Sequence, residues 1–155
     1  MSRDHYKFKI ISDVLNYLKS SRPNSYSNDL ENFSESFLKS APTDDIKNRS
    51  FSEIGEMIFN QWKLMKNRNP GAAIISVFNP REKNERWDTP YTAIVLINDD
   101  MPFLVDSATA LLVEKGYSVH LVIHPIFSTR RAEDGNLIDI SKPEINSDSH
   151  KESCI

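Results

Sequence analysis

The stretch VLINDDMPFLVDSATALLVEKG, residues 95–116, decides the fold. An apolar run stops at three polar residues, Asn98, Asp99 and Asp100. A helical pattern follows, with Met101, Leu104, Val105, Ala108, Leu111 and Leu112 on one face and Gly116 as its stop. Two adjacent carboxylates at a strand tip read either as a reactive or metal-binding pair or as the start of a helix. Paired-carboxylate chemistry needs a proton donor or a metal aimed at the same point, and the sequence assembles none. The reading adopted is that Asp100 caps the helix, with Pro102 accommodated in its first turn. Asp106 then falls on a flank of the buried face.

Upstream, AAIISVF (72–78) and TAIVLI (92–97) are short runs rich in β-branched residues, bounded by turn signals, and read as strands. Between them NPREKNERWDTP (79–90) is a polar connection anchored by Trp87. The first 70 residues read as helical. Ile11, Val14, Leu15 and Leu18 form one apolar stripe, ended by SSRPNS. A second helix begins at Asn28 or Asp29 and carries Leu30, Phe33 and Phe37. After APTDD, a third starts at SFSE, where Ser50 and Glu53 have capping-box spacing. Its stripe is Phe51, Ile54, Ile58, Trp62 and Met65. Lys63, Lys66 and Arg68 stand at its C-terminal end, where the helix dipole favours cations, and RNPG stops it.

Downstream, YSVHLVIHPIFSTRR (117–131) reads as one long strand, EDGN (133–136) as a hairpin turn and NLIDI (136–140) as the returning strand. His120 and His124 share a strand face but lie ~13 Å apart at ~3.3 Å per residue. Zinc holds nitrogens at ~2.0–2.1 Å, so these are read as half-buried strand histidines. STRR (128–131) reads as a solvated strand end. Residues 141–155 form a polar tail in which His150 and Cys154 are isolated. With four glycines there is no GxGxxG and no phosphate loop.

The 155 residues are enough for one domain with a sizeable core, burying ~68–70% of the unfolded surface. A net charge of −3 gives no footprint for nucleic acid or an anionic membrane. No run approaches the ~20 apolar residues of a membrane span, and no signal-peptide core opens the chain. Cys154 is the one cysteine, so no internal disulfide forms. The expectation is a cytoplasmic protein.

Strand, acidic-x-Pro corner, helix, glycine, strand, hairpin and strand make a β-α-β-β order. This resembles the first two-thirds of an ACT domain, a small ferredoxin-like regulatory unit that often binds amino acids. Phe103 stands where ACT ligand sites usually have glycine after the proline. The segments INDDMPFLVDS, HLVIHPIF, RNPG, VFNP and WDTPYT together resemble the N-terminal region of the large bacterial NAD-specific glutamate dehydrogenases. The resemblance runs from about Asn28 to Ile155.

The resemblance implies an α+β fold: a helical segment over 1–70, an incomplete ACT-like βαββ unit over 71–140, and over 141–155 a polar tail that is the truncated start of the next strand. It implies a non-catalytic regulatory or assembly role. In the parent reaction glutamate and NAD give 2-oxoglutarate and ammonia, with NAD bound outside this chain. The alternative is a free-standing ACT-like module sensing an amino acid or binding a protein. Asp99, Asp100, Met101, Pro102 and Phe103 are the candidate ligand-binding residues, at a corner whose exposed N–H groups attract anionic groups. The chain stops at Ile155 as a strand begins. It is therefore expected to be a piece of a larger protein or the remnant of a broken gene, associating with the rest of the dehydrogenase or with itself.

Overall fold

A computed structural model describes residues 3–83, 86–142 and 150–155. Helices α1 (Arg3–Ser21), α2 (Asn28–Ser40), α3 (Thr43–Ile46) and α4 (Phe51–Met65) come first. Strand β1 (Ile74–Phe78), the short α5 (Pro80–Lys83), β2 (Ala93–Asp99) and helix α6 (Leu104–Glu114) follow. Strands β3 (Ile126–Arg131), β4 (Leu137–Ser141) and β5 (His150–Cys154) complete the order. The fold is α+β, with N-terminal helices packed on a five-stranded antiparallel sheet of order β1-β2-β5-β3-β4.

The helices form where the stripes place them. Ser27 caps α2 by accepting from the Leu30 N–H, and Ser50 caps α4 by accepting from the Glu53 N–H at 3.1 Å. The capping box is only half made, because the Glu53 carboxylate pairs with Arg49 at 2.6 Å instead of reaching back. Ile11, Val14 and Leu18 of α1, Leu30, Phe33 and Phe37 of α2, and Ile54, Ile58, Trp62 and Met65 of α4 are buried, while Phe51 is half exposed. Burying each such side chain contributes about 1.5–3 kcal/mol. Gly55 lets α1 approach α4, since a Cβ there would lie 2.5 Å from the Tyr17 ring.

One core joins helices to sheet. Phe33 stacks on Phe127 of β3, with centroids 4.9 Å apart, and touches Trp62 of α4 from its other side. Val95, Ile97, Phe127, Ile140 and Cys154 are the sheet's buried apolar contribution. Trp87 anchors the connection after β1, its ring edge against Phe78. Residues 84–85 of that connection lie outside the described residues.

Four expectations change. The long strand over 117–131 shortens to Ile126–Arg131, and 117–125 forms no strand although its composition favours one, its last residue, Pro125, accepting from the Cys154 N–H. His120 and His124 are therefore not strand neighbours. His120 is exposed and stacks on Tyr91 at 4.4 Å. The polar tail supplies the sheet's central strand: β5 pairs with β2 through Ile97–Cys154 and Asp99–Glu152, and with β3 through Phe127–Glu152 and Thr129–His150. Residues 143–149 of the expected tail lie outside the described residues. Finally, no residue of α6 is fully buried: Leu104, Val105 and Leu112 are half-buried, and Leu111 and Val113 are exposed.

Candidate functional site

Alternation along the strands sorts the polar residues at the β2–β5 end onto two faces. Asp99, His150, Glu152, Thr129 and Arg131 face the helices. Asp100, Ser153, Ser128 and Ile126 lie on the opposite, outer face, beside α6 and the 117–125 segment.

The inner face holds a buried charge cluster built around Arg68, the third residue past the end of α4. Its Nη1 is 2.8 Å from Glu152 Oε1, its Nη2 pairs with Asp99, and its Nε donates to the Ala72 carbonyl at 2.7 Å. Arg131 grips both oxygens of Glu152 at 2.7 and 2.9 Å and donates to the carbonyls of Met65 and Gly135. The bond to Met65 meets an orphan carbonyl at the C-terminus of α4. His150 Nε2 lies 2.6 Å from Asp99 Oδ1 at the exposed rim. Arg68 was expected as a cation favoured by a helix end, and Arg131 as part of a solvated strand end. Arg68 is buried and Arg131 half-buried, because two carboxylates and three carbonyls satisfy their donors, which makes burying these charges tolerable.

The electrostatics follow from these contacts. Hydrogen bonds from Arg68, then His150, hold the Asp99 carboxyl below its ordinary value. Burial pushes the Glu152 carboxyl up, but hydrogen bonding and charge from Arg131, with the charge of Arg68, outweigh it and the net direction is down. Burial alone pushes the Cys154 thiol up to about 12. Its Sγ donates to Gln61 Oε1 at 3.1 Å, so it is a packed core group and not a nucleophile.

The hairpin turn expected at EDGN closes onto this cluster. Gly135 has φ 86°, and a Cβ there would sit 2.5 Å from the Arg68 carbonyl oxygen. The Arg68 N–H donates to the Gly135 carbonyl at 3.0 Å, and the Leu137 N–H donates to Lys66 at 2.9 Å.

On the outer face, Asp100 does not cap α6. The strand runs two residues past the apolar run, to Asp99, and the Ser153 hydroxyl, donating at 2.6 Å, takes the Asp100 carboxylate instead. The residue at the N-cap is Phe103, with φ 65° and no side-chain cap. Asp99 and Asp100 thus point to opposite faces and cannot act on one atom, which removes paired-carboxylate chemistry. The candidate residues do not converge as one set. Asp100, Met101, Pro102 and Phe103 line an open cavity of about 450 Å³ with Leu104, Val105, Asp106, His124 and Ile126, while Asp99 belongs to the buried cluster. His124 Nε2 is 3.1 Å from Ser153 Oγ. Among the described residues no group of three His, Cys, Asp or Glu side chains is placed to hold a metal, and no helix is long and apolar enough to cross a membrane.

An antiparallel sheet with helices on one face and a helix-bearing crossover from β2 to the parallel β3 is an ACT-like α+β unit. The chain belongs to the family described as the glutamate dehydrogenase ACT1 domain, whose model matches residues 33–155. Over 108 residues it is 30% identical to the NAD-specific glutamate dehydrogenase of Pseudomonas aeruginosa, covering 70% of this chain and 7% of that protein. Over 144 residues it is 22% identical to the NAD-specific glutamate dehydrogenase of Halomonas elongata, covering 93% and 9%. The chain spans less than a tenth of the length of these relatives. No solved structure matches it.

Proposed function

We propose that the chain is a non-catalytic regulatory and assembly unit of an NAD-dependent glutamate dehydrogenase, working in the cytoplasm. In the reaction it would influence, glutamate and water give 2-oxoglutarate and ammonia while NAD takes the hydride, and NAD binds elsewhere in the enzyme. The observation that carries this reading is an apolar surface left uncovered. Ile75 and Val77 of β1 and Ile94 of β2 lie on the outer sheet face at 66%, 61% and 42% exposure, and no residue of α6 is fully buried. Contiguous exposed apolar surface of this kind marks an interaction site. A regulatory unit then acts only by contacting one state of the enzyme better than another.

The test is sedimentation of the chain alone and mixed with the catalytic part of the dehydrogenase. Association is expected, weakened about tenfold or more by Val77→Lys with Ile94→Lys, a loss of ~1.4 kcal/mol. The chain alone should produce no NADH from glutamate. A compact monomer that binds neither itself nor the dehydrogenase would remove the assembly reading.

The cavity at Asp100–Asp106 favours a second reading, a free-standing sensor of a small amino acid held near Asp100, Met101, Pro102 and Phe103. A ligand at 100 times its dissociation constant adds ~2.7 kcal/mol of stability. Thermal unfolding in the presence of each of the twenty amino acids decides it, since no shift with any of them eliminates the sensor.

A further inference from the structure

Asp99 ends β2 and Asp100 follows it, and Glu152 and Ser153 lie beside them in β5. The Asp99–Glu152 register and the Asp100 N–H, which donates to the Lys151 carbonyl at 2.9 Å, lock these two strand ends together. Each strand sends one polar side chain to each face. On the inner face Asp99 meets Arg68 and His150, and Glu152 meets Arg68 and Arg131. On the outer face Ser153 donates its hydrogen to Asp100. A serine hydroxyl has one hydrogen to give. With that hydrogen committed to Asp100, His124 is the donor in its 3.1 Å contact with Ser153 Oγ, so Nε2 carries a proton.

Glu152 and Ser153 are both fully buried, while their partners Asp100 and Asp99 reach the surface. A displacement of Asp100 must move Ser153 or take from the buried Ser153 hydroxyl its acceptor. Asp99 and Glu152, one peptide away on each strand, are held by the guanidinium at the end of α4. We infer that the Asp99–Asp100 and Glu152–Ser153 pairs form a two-sided coupling element. It joins the loop at the head of α6, on the outer face, to the Arg68 anchor of the helical layer in one cooperative unit. Movement of residues 100–103 by a contact on the outer face is thereby felt at α4. This goes beyond the assembly reading, and its test needs neither an effector nor the dehydrogenase. Either can therefore fail while the other stands.

The experiment is a double-mutant cycle of urea unfolding on the intact chain with Ser153→Ala, on the outer side, and His150→Ala, on the inner side. These two side chains occupy opposite faces and share no contact. Coupling predicts that their effects on the unfolding constant fail to multiply by about threefold or more. The control pair, Ser153→Ala with Tyr6→Phe on α1, should multiply. If Ser153→Ala does not fold, Asp100→Ala takes its place under the same criterion. Effects that multiply as the control pair does would overturn the inference.

Discussion

Arg68 and Glu152 meet head to head inside the protein, Nη1 to Oε1 at 2.8 Å, with each side chain 1% exposed. The pair joins the end of α4 to the central strand, and Arg131 holds the same carboxylate from β3. Glu152→Ala would leave two guanidinium groups without their shared partner, and breaking such a buried pair costs about 3–5 kcal/mol. Urea unfolding should show a loss of that size. Replacing Arg68 and Glu152 together by Met and Leu should recover much of it. A single-variant loss below about 1 kcal/mol would mean that water replaces the pair.

The same cluster sets a pH dependence. Both Asp99 and Glu152 have folded values depressed below their unfolded ones. The stability they contribute is complete above the unfolded carboxylate range near pH 4 and is lost as pH falls through the lower folded values. The stability difference between wild type and Glu152→Gln should be constant from about pH 7 to 5 and shrink below about pH 4. Urea midpoints across that range check it, and a gap that widens towards acid would reverse the assignment.

Two glycines separate backbone strain from crowding. Gly116 (φ 83°) has nothing within 4 Å of an added Cβ, whereas at Gly135 (φ 86°) the Cβ would meet Arg68 backbone. Gly116→Ala should cost about 1–2 kcal/mol, the ordinary penalty of left-handed backbone. Gly135→Ala should cost at least twice as much, because the turn must also move off the end of α4. Equal losses in thermal unfolding would show that the turn yields freely.

Phe103 is 74% exposed and holds φ 65° at the head of α6. Its ring gains little burial there, while a Cβ in left-handed backbone costs about 1–2 kcal/mol. Phe103→Gly should therefore raise the melting temperature by a few degrees, since about 1 kcal/mol corresponds to 2–4 °C in a chain of this size. A drop in melting temperature would show that the ring packs on α6 in solution.

Helices α1, α2 and α4, strands β1 and β2 and the Asp134–Gly135 hairpin were legible because each buries an apolar stripe or needs a turn residue. β5 was not. HKESC has almost no apolar content, and its place in the sheet is secured by Glu152 and Ser153 finding partners distant in sequence. Arg68 reads as a cation favoured by a helix end, and only the folded chain brings Asp99 and Glu152 to it. At the corner, an acidic residue before proline carries the local signature of a cap. That signature lost to the Ser153 hydroxyl, 53 residues away. The ligand-site reading of residues 99–103 was split by strand alternation once β2 extended to Asp99.

The place of β5 in the sheet also dictates how the chain assembles. β2 and β3 are not hydrogen-bonded to each other, and residues 150–155 bridge the two. Until that segment arrives, the chain holds two separate hairpins, β1–β2 and β3–β4, with a strand-wide gap between them. Contacts so distant in sequence are slow to form. The five-stranded sheet is therefore expected to close only once the most polar of its strands is available to fill that gap.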